Sequence, residues 1–220
     1  MAIYSKDGKF ISQNTADANQ VCIGDASHPI KGLSADQFRK IASVVKQEGA
    51  TNEAMEYMCI AHTLFNESGA VHKSMYDLAM SSYSSVPHKD ALSDSDQSGN
   101  ANSARAAVLD TLTGGADPTS GATFWDGVDF ISKGTLQAKF RQYRHITIPQ
   151  AIYTKYLNAV KAKYPNGVRF AGVKYDVPAP VFTDTSHWVG GNFEYETGVP
   201  RQPKLIGTIA VGQSIFWKIG

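Results

Sequence analysis

The stretch "NEAMEYMCIAHTLFNES" (52–68) constrains the chain most. Ala54, Met58, Ala61 and Phe65 recur at helical spacing along one side, and Tyr57, Ile60 and Leu64 widen that side. A helix apolar over so wide an arc must be covered by other elements, so the stretch predicts a central, mostly buried helix. The chain has 220 residues and 42% hydrophobic content, enough for one sizeable core or a core with an appended subdomain.

The helix before it is the best marked. In "GLSADQFRKIASVVKQEG" (32–49), Ser34 and Gln37 fit a capping box and Leu33 and Phe38 a hydrophobic staple. Phe38, Ile41, Ala42 and Val45 follow the helical period, and Gly49 is a candidate C-cap. A third helix is expected over 71–82, a polar surface loop over 84–102, and a further helix over 103–115 closed by Gly114 or Gly115. Residues 116–127 read as a turn and a short strand, with a hairpin at Asp126–Gly127. In the second half, 148–167 predicts a helix with Pro149 near its first turn and a stop at 165–167. Residues 168–177 and 205–219 read as strands with punctuating glycines. A helical first half and a mixed second half make the class α+β.

Charge and composition exclude several functions. A formal net charge of +1 gives no strong pull toward nucleic acid, and no apolar run approaches the roughly 18–20 residues of a membrane-spanning helix. The N-terminus lacks the apolar core of a signal peptide. The chain is therefore expected to start in a cytoplasm, or to leave it by a route without a cleaved signal. The six histidines form no close metal pair, so no metal or cofactor is expected. Cys22 and Cys59 make no disulfide framework.

Glu48 stands out within this frame. It follows Ile41 by seven residues and Val44 and Val45 by four and three, which places it on the apolar side of its helix. Desolvation and the helix C-terminus both act against its charged form. A carboxyl held protonated is what a general acid needs, and glycosidases use one to protonate the leaving oxygen of a sugar–sugar bond.

Three blocks then bear on identity. Residues 33–68, "SARAAVLDTLTGGADPTSGATFW" (103–125) and the final "TIAVGQSIFWK" (208–218) resemble, in order, the signatures of the SleB/CwlJ-type cell-wall hydrolases, the spore-cortex lytic enzyme family. The resemblance implies a lysozyme-like fold that cleaves peptidoglycan between N-acetylmuramic acid and N-acetylglucosamine. It covers 33–124 and the last dozen residues, leaving 1–32 as an N-terminal extension and about 126–204 as an insertion in a domain spanning 33–220. It puts the family's catalytic glutamate on Glu48 and its asparagine on Asn66. Asp117, Pro118, Thr119 and Gly121 match its "DPTgG" turn, and Trp125 stands near its aromatic positions. Asn66, Asp117, Thr119, Gly121 and Trp125 are thus expected to bind substrate. The chain departs from the pattern at Glu67, Ser120 and Ser214, where the family has Arg, Gly and His.

For a second catalytic carboxylate the candidates are Glu53, Glu56 and Asp117, the two glutamates on the polar side of the second helix and the aspartate in a turn. None makes a convincing nucleophile. A single-acid lytic transglycosylase fits better, with a hydrolysing muramidase differing only in using water at the second step. Two other classes stay open. Cys59 or Cys22 with His187 could form a Cys–His peptidase cutting peptidoglycan stem peptides, or the domain could bind glycan or a protein without cutting. Trp188, Phe193 and Tyr195 in "SHWVGGNFEYETGVPR" (186–201) read either as a sugar-stacking loop or as hairpin packing. A cell-wall enzyme without a signal peptide implies delivery by a secretion machine or phage lysis. An antibacterial effector of that kind implies an immunity protein in the producing cell.

Overall fold

The computed structural model describes residues 1–14, 19–25, 29–49, 53–83, 86 and 88–220; the expected features at 50–52, 84, 85 and 87 lie outside them. The chain is α+β and divides into two compact units, Met1–Pro118 and Thr119–Gly220. No helix among the described residues is long and apolar enough to cross a membrane.

In the first unit, β1 (Ala2–Tyr4), β2 (Phe10–Gln13) and β3 (Val21–Ile23) form a sheet in the order β2-β1-β3. Four helices follow: α1 (Ala35–Glu48), α2 (Ala54–Ala70), α3 (Met75–Ser82) and α4 (Gly99–Leu112). The capping box of α1 is complete, with Ser34 Oγ accepting from Gln37 N at 3.2 Å and Gln37 Oε1 accepting from Ser34 N at 3.0 Å. Phe38, Ile41, Ala42, Val44 and Val45 are all buried.

Helix α2 is central as expected, but its buried arc is rotated. Tyr57, Ile60, Ala61 and Leu64 are buried, whereas Phe65 is 46% exposed and Glu56, expected on the wet side, is fully buried. The reason lies in α4, which packs on α2 and buries Ala101, Ala104, Ala107 and Val108. Small residues let two helix axes approach closely, and α2 is buried round most of its circumference between Glu56 and Leu64.

The polar stretch expected as a surface loop is pinned rather than loose. Arg105 of α4 is fully buried; its Nε donates to Gly8 O at 2.7 Å and its Nη2 to Asp96 O at 2.6 Å and Asn102 Oδ1 at 2.7 Å. Asp94 accepts from Tyr4 Oη at 2.6 Å and from Arg39 Nε at 3.1 Å. Burial, with the Asp94 carboxylate beside it, pushes the Tyr4 hydroxyl well above the usual tyrosine range. Lys46 meets Asp96 at 2.6 Å, which holds that carboxyl below the usual carboxylate range. Helix α4 also starts four residues earlier than the pattern predicts, because Ser98 accepts from Ala101 N at 3.3 Å and caps it at Gly99.

The second unit is built on a six-stranded sheet in the order β4-β11-β10-β5-β9-β8. Its strands are β4 (Phe124–Asp126), β5 (His145–Pro149), β8 (Trp188–Val189), β9 (Asn192–Glu196), β10 (Lys204–Val211) and β11 (Ser214–Ile219). Helices α5 (Val128–Lys133), α6 (Lys139–Gln142) and α7 (Gln150–Lys163) accompany it, with a separate hairpin of β6 (Val168–Phe170) and β7 (Val173–Tyr175). The stretches 168–177 and 205–219, read as strands, each form an antiparallel pair. Ala171 and Gly172 turn the first at φ 47° and 84°, as a type I′ turn requires. The hairpin expected at Asp126–Gly127 is instead the start of α5, because the Asp126 side chain is turned inward to accept from Trp217 Nε1 at 2.8 Å.

Rings fill this second core. Phe130 lies 4.8 Å from Trp217 and 5.4 Å from Phe140, and Phe182 lies 4.9 Å from Phe193. Trp188 meets Tyr153 edge-on at 4.8 Å and Tyr195 meets Phe140 at 5.0 Å. The aromatic loop at 186–201 is therefore hairpin packing, turned by Gly190 and Gly191 at φ 58° and 80°.

Candidate functional site

Glu48 is the last residue of α1. The apolar stripe beneath it is buried, but Glu48 itself is only half-buried, because the helix ends there and leaves the carboxylate at the rim. The next residue shows why the sequence reads Glu-Gly. Gly49 has φ −70°, so no left-handed conformation calls for glycine there. A Cβ on it would fall 2.3 Å from the Tyr57 ring, so the glycine makes room for α2 to lay that ring against the end of α1.

A second acid joins the group that the sequence did not single out. Tyr83, just past α3, donates its hydroxyl to Glu67 Oε2 at 2.8 Å. Burial pushes that hydroxyl far above its usual range; the Glu67 carboxylate and then the Glu48 charge push the same way. Glu48, Glu67 and Tyr83 thus share one electrostatic neighbourhood, drawn from α1, α2 and the end of α3. Of the second acids expected from sequence, Glu56 is fully buried, Glu53 lies exposed just before α2, and Asp117 is engaged elsewhere. Glu67 had been visible only as a departure from the family pattern, and its partner Tyr83 is remote in sequence.

Asn66 and Asp117, expected together in substrate binding, are in contact: Asn66 Nδ2 donates to Asp117 Oδ2 at 3.0 Å. Between them and α4 lies His62, buried, with Nε2 at 3.2 Å from Asp110 Oδ2 and Nδ1 at 4.0 Å from Asp117 Oδ1. His62 is thus a hydrogen-bonded helix residue whose two nitrogens face carboxylates on separate segments. It ties the turn at 116–118 to α2 and α4. Among the described residues no cluster of His, Cys, Asp and Glu could hold a metal ion.

The remaining expected binding residues belong to the second unit. Thr119 is fully buried and its Oγ1 accepts from Ala122 N at 3.1 Å, which gives it a turn-closing role. Ser120 and Gly121 follow at φ 56° and 84°, a left-handed pair in which glycine at 121 relieves strain. Trp125 is half-buried on β4, opposite Phe216 of β11. Neither cysteine is in a disulfide, and both are fully buried. Compared with family models, curated proteins and solved structures, the chain gives no match.

Proposed function

We propose that this protein cleaves the glycan strand of peptidoglycan through Glu48, on a lysozyme-like arrangement of α1, α2 and α4. The observation that carries the reading is the placement of Glu48: a carboxyl at the end of a buried helix stripe, half-exposed, sharing the surroundings of the half-buried Tyr83 with a second acid, Glu67. A carboxyl so placed is open to a substrate oxygen, as a general acid must be. Glu48 delivers its proton to the glycosidic oxygen and the C1–O bond breaks, leaving an oxocarbenium-like muramic acid. The 6-hydroxyl of the same sugar closes onto C1 and its proton returns to Glu48. The products are a 1,6-anhydro end and a regenerated acid, the outcome of a lytic transglycosylase.

Glu67 supports one variant of this reading. A carboxylate near the acid can activate water instead, which makes the enzyme a muramidase. The buried thiols of Cys22 and Cys59 offer no comparable support to a Cys–His peptidase, whose nucleophile must meet substrate. Delivery by a specialised secretion route or by phage lysis, and an immunity protein covering Glu48, belong to the same proposal.

Digestion of purified peptidoglycan followed by mass spectrometry tests it. Glu48→Gln is expected to lower kcat by about 10²–10⁴-fold, the range for loss of a general acid. Anhydro-muropeptides from the wild type identify a transglycosylase, and reducing ends identify a muramidase. Unchanged cleavage by the variant, or release of stem peptides alone, defeats the proposal.

A further inference from the structure

The first unit carries a cleft of about 760 Å³, within the range of small-ligand sites, that holds neither Glu48 nor Glu67. Its apolar lining includes Ile23, Ile30 and Leu109. Lys6 and Lys31, both exposed, stand on the side formed by the β1–β2 turn and the segment after β3. The opposite side is the last turn of α4, where Asp110 and the carbonyl end of the helix are negative. Asp110 is 41% exposed at its side chain and also meets His62, which links the cleft to Asn66 and Asp117.

A ligand suited to this cleft has carboxylates for the lysines, an ammonium for Asp110 and small apolar side chains for the floor. We propose that the cleft binds the stem peptide of peptidoglycan, whose alanines, acidic residue and diamino acid supply these groups. The proposal rests on the glycan-cleaving reading for its choice of ligand. Its consequence is a specificity site: the enzyme grips the peptide on the muramic acid while Glu48 works on the sugar bond.

The probe is the free tripeptide L-Ala–γ-D-Glu–meso-diaminopimelate, titrated calorimetrically into the whole chain, and the variant is Lys6→Glu/Lys31→Glu, checked for native circular dichroism. Wild-type binding weakened at least about tenfold by the charge reversal supports the cleft. Binding absent from the wild type, or equal in the variant, overturns it even where glycan is cut. A kinetic arm compares intact glycan with strands stripped of their peptides by an amidase. The variant is expected to raise KM about tenfold on intact strands and to leave stripped strands unaffected; equal loss on both substrates overturns the proposal. Peptide binding that survives Glu48→Gln supports a site separate from the acid. Wild-type peptide binding without any glycan cleavage supports the cleft and defeats the glycosidase reading alone.

Discussion

Residues 1–118 bury more alanines than rings, with the Arg105 guanidinium and the Glu56 carboxyl, whereas residues 119–220 bury more rings than alanines, with the Asp126 carboxyl. In the first unit α2 and α4 pack through small side chains, and Arg105 ties α4 to the β1–β2 turn and to the segment before α4. In the second, Phe130, Phe140, Phe182, Phe193 and Trp217 fill the space beside the sheet, and Asp126 is the acid drawn inside. The contrast separates two uses of a buried polar group. Arg105 donates to backbone carbonyls of two irregular segments, Gly8 O and Asp96 O, so it organises chain outside helix and sheet. Asp126 sits among Trp217 Nε1 at 2.8 Å, Gln137 Nε2 at 3.0 Å and Lys139 Nζ at 3.5 Å, and its burial pushes its carboxyl up to about 7 against the weaker opposing pull of Lys139.

The largest effect on stability is expected from Arg105→Ala. Truncating this fully buried side chain costs on the order of 3–5 kcal/mol, because it leaves a cavity and strips the buried Gly8 carbonyl of its donor. All three tryptophans, Trp125, Trp188 and Trp217, lie in the second unit, so their emission reports that unit while helical circular dichroism weights the first. Circular dichroism should melt earlier in the variant and tryptophan emission should not. Coincident shifts would mean that the two units unfold as one, and the contrast between them would lose its thermodynamic meaning.

Asp126 gives the next effect, and its sign follows from linkage. Its folded pKa of about 7 lies above the ordinary value of 3.8, so the folded unit holds a proton that the unfolded chain releases. Stability from this group is full below about pH 4, falls as pH rises, and is lost above about pH 7. The shift sets an upper limit of roughly 4 kcal/mol on the change across that window. Denaturant titrations followed by tryptophan emission should show that slope in the wild type and a flatter one in Asp126→Asn. An unchanged slope would assign the titration to other groups.

How much of this was legible follows from the range of each signal. The capping box at Ser34, the stripe of α1 and the Pro149 boundary are local patterns, and each stands where the sequence predicts it. The face of α2 was misjudged because apolar residues nearly encircle it, and only the alanines of α4 decide which arc is covered. Asn66 and Asp117 were expected in one site and do touch. Glu67 and Tyr83 were not expected there, since nothing local ties Tyr83 to α2. Gly49 was legible as a helix end, but its reason, the Tyr57 ring, needs the third dimension.

That glycine yields a smaller effect and a sharper test of the site. At φ −70° alanine fits the backbone, so Gly49→Ala acts through the ring contact alone, at about 1–3 kcal/mol. The glycan cleavage proposed for Glu48 should fall with stability if the clash shifts that residue, and Gly49→Ala/Tyr57→Leu should restore both by opening space. Failure of the double variant would separate the glycine from Tyr57.

The smallest effect belongs to Thr63, fully buried on α2, whose hydroxyl has no hydrogen-bond partner among the described residues. A buried hydroxyl without a partner retains its desolvation cost, and valine has the same shape without it. Thr63→Val is expected to raise stability by up to about 1 kcal/mol, read as a rise in the circular dichroism midpoint with tryptophan emission unmoved. A loss of stability would mean that the hydroxyl does meet a partner in solution, such as a trapped water, and that the core around α2 contains a polar link after all. The contrast with the ring-filled second unit would then rest on side-chain size, because no buried side-chain polar atom among the described residues would lack a partner.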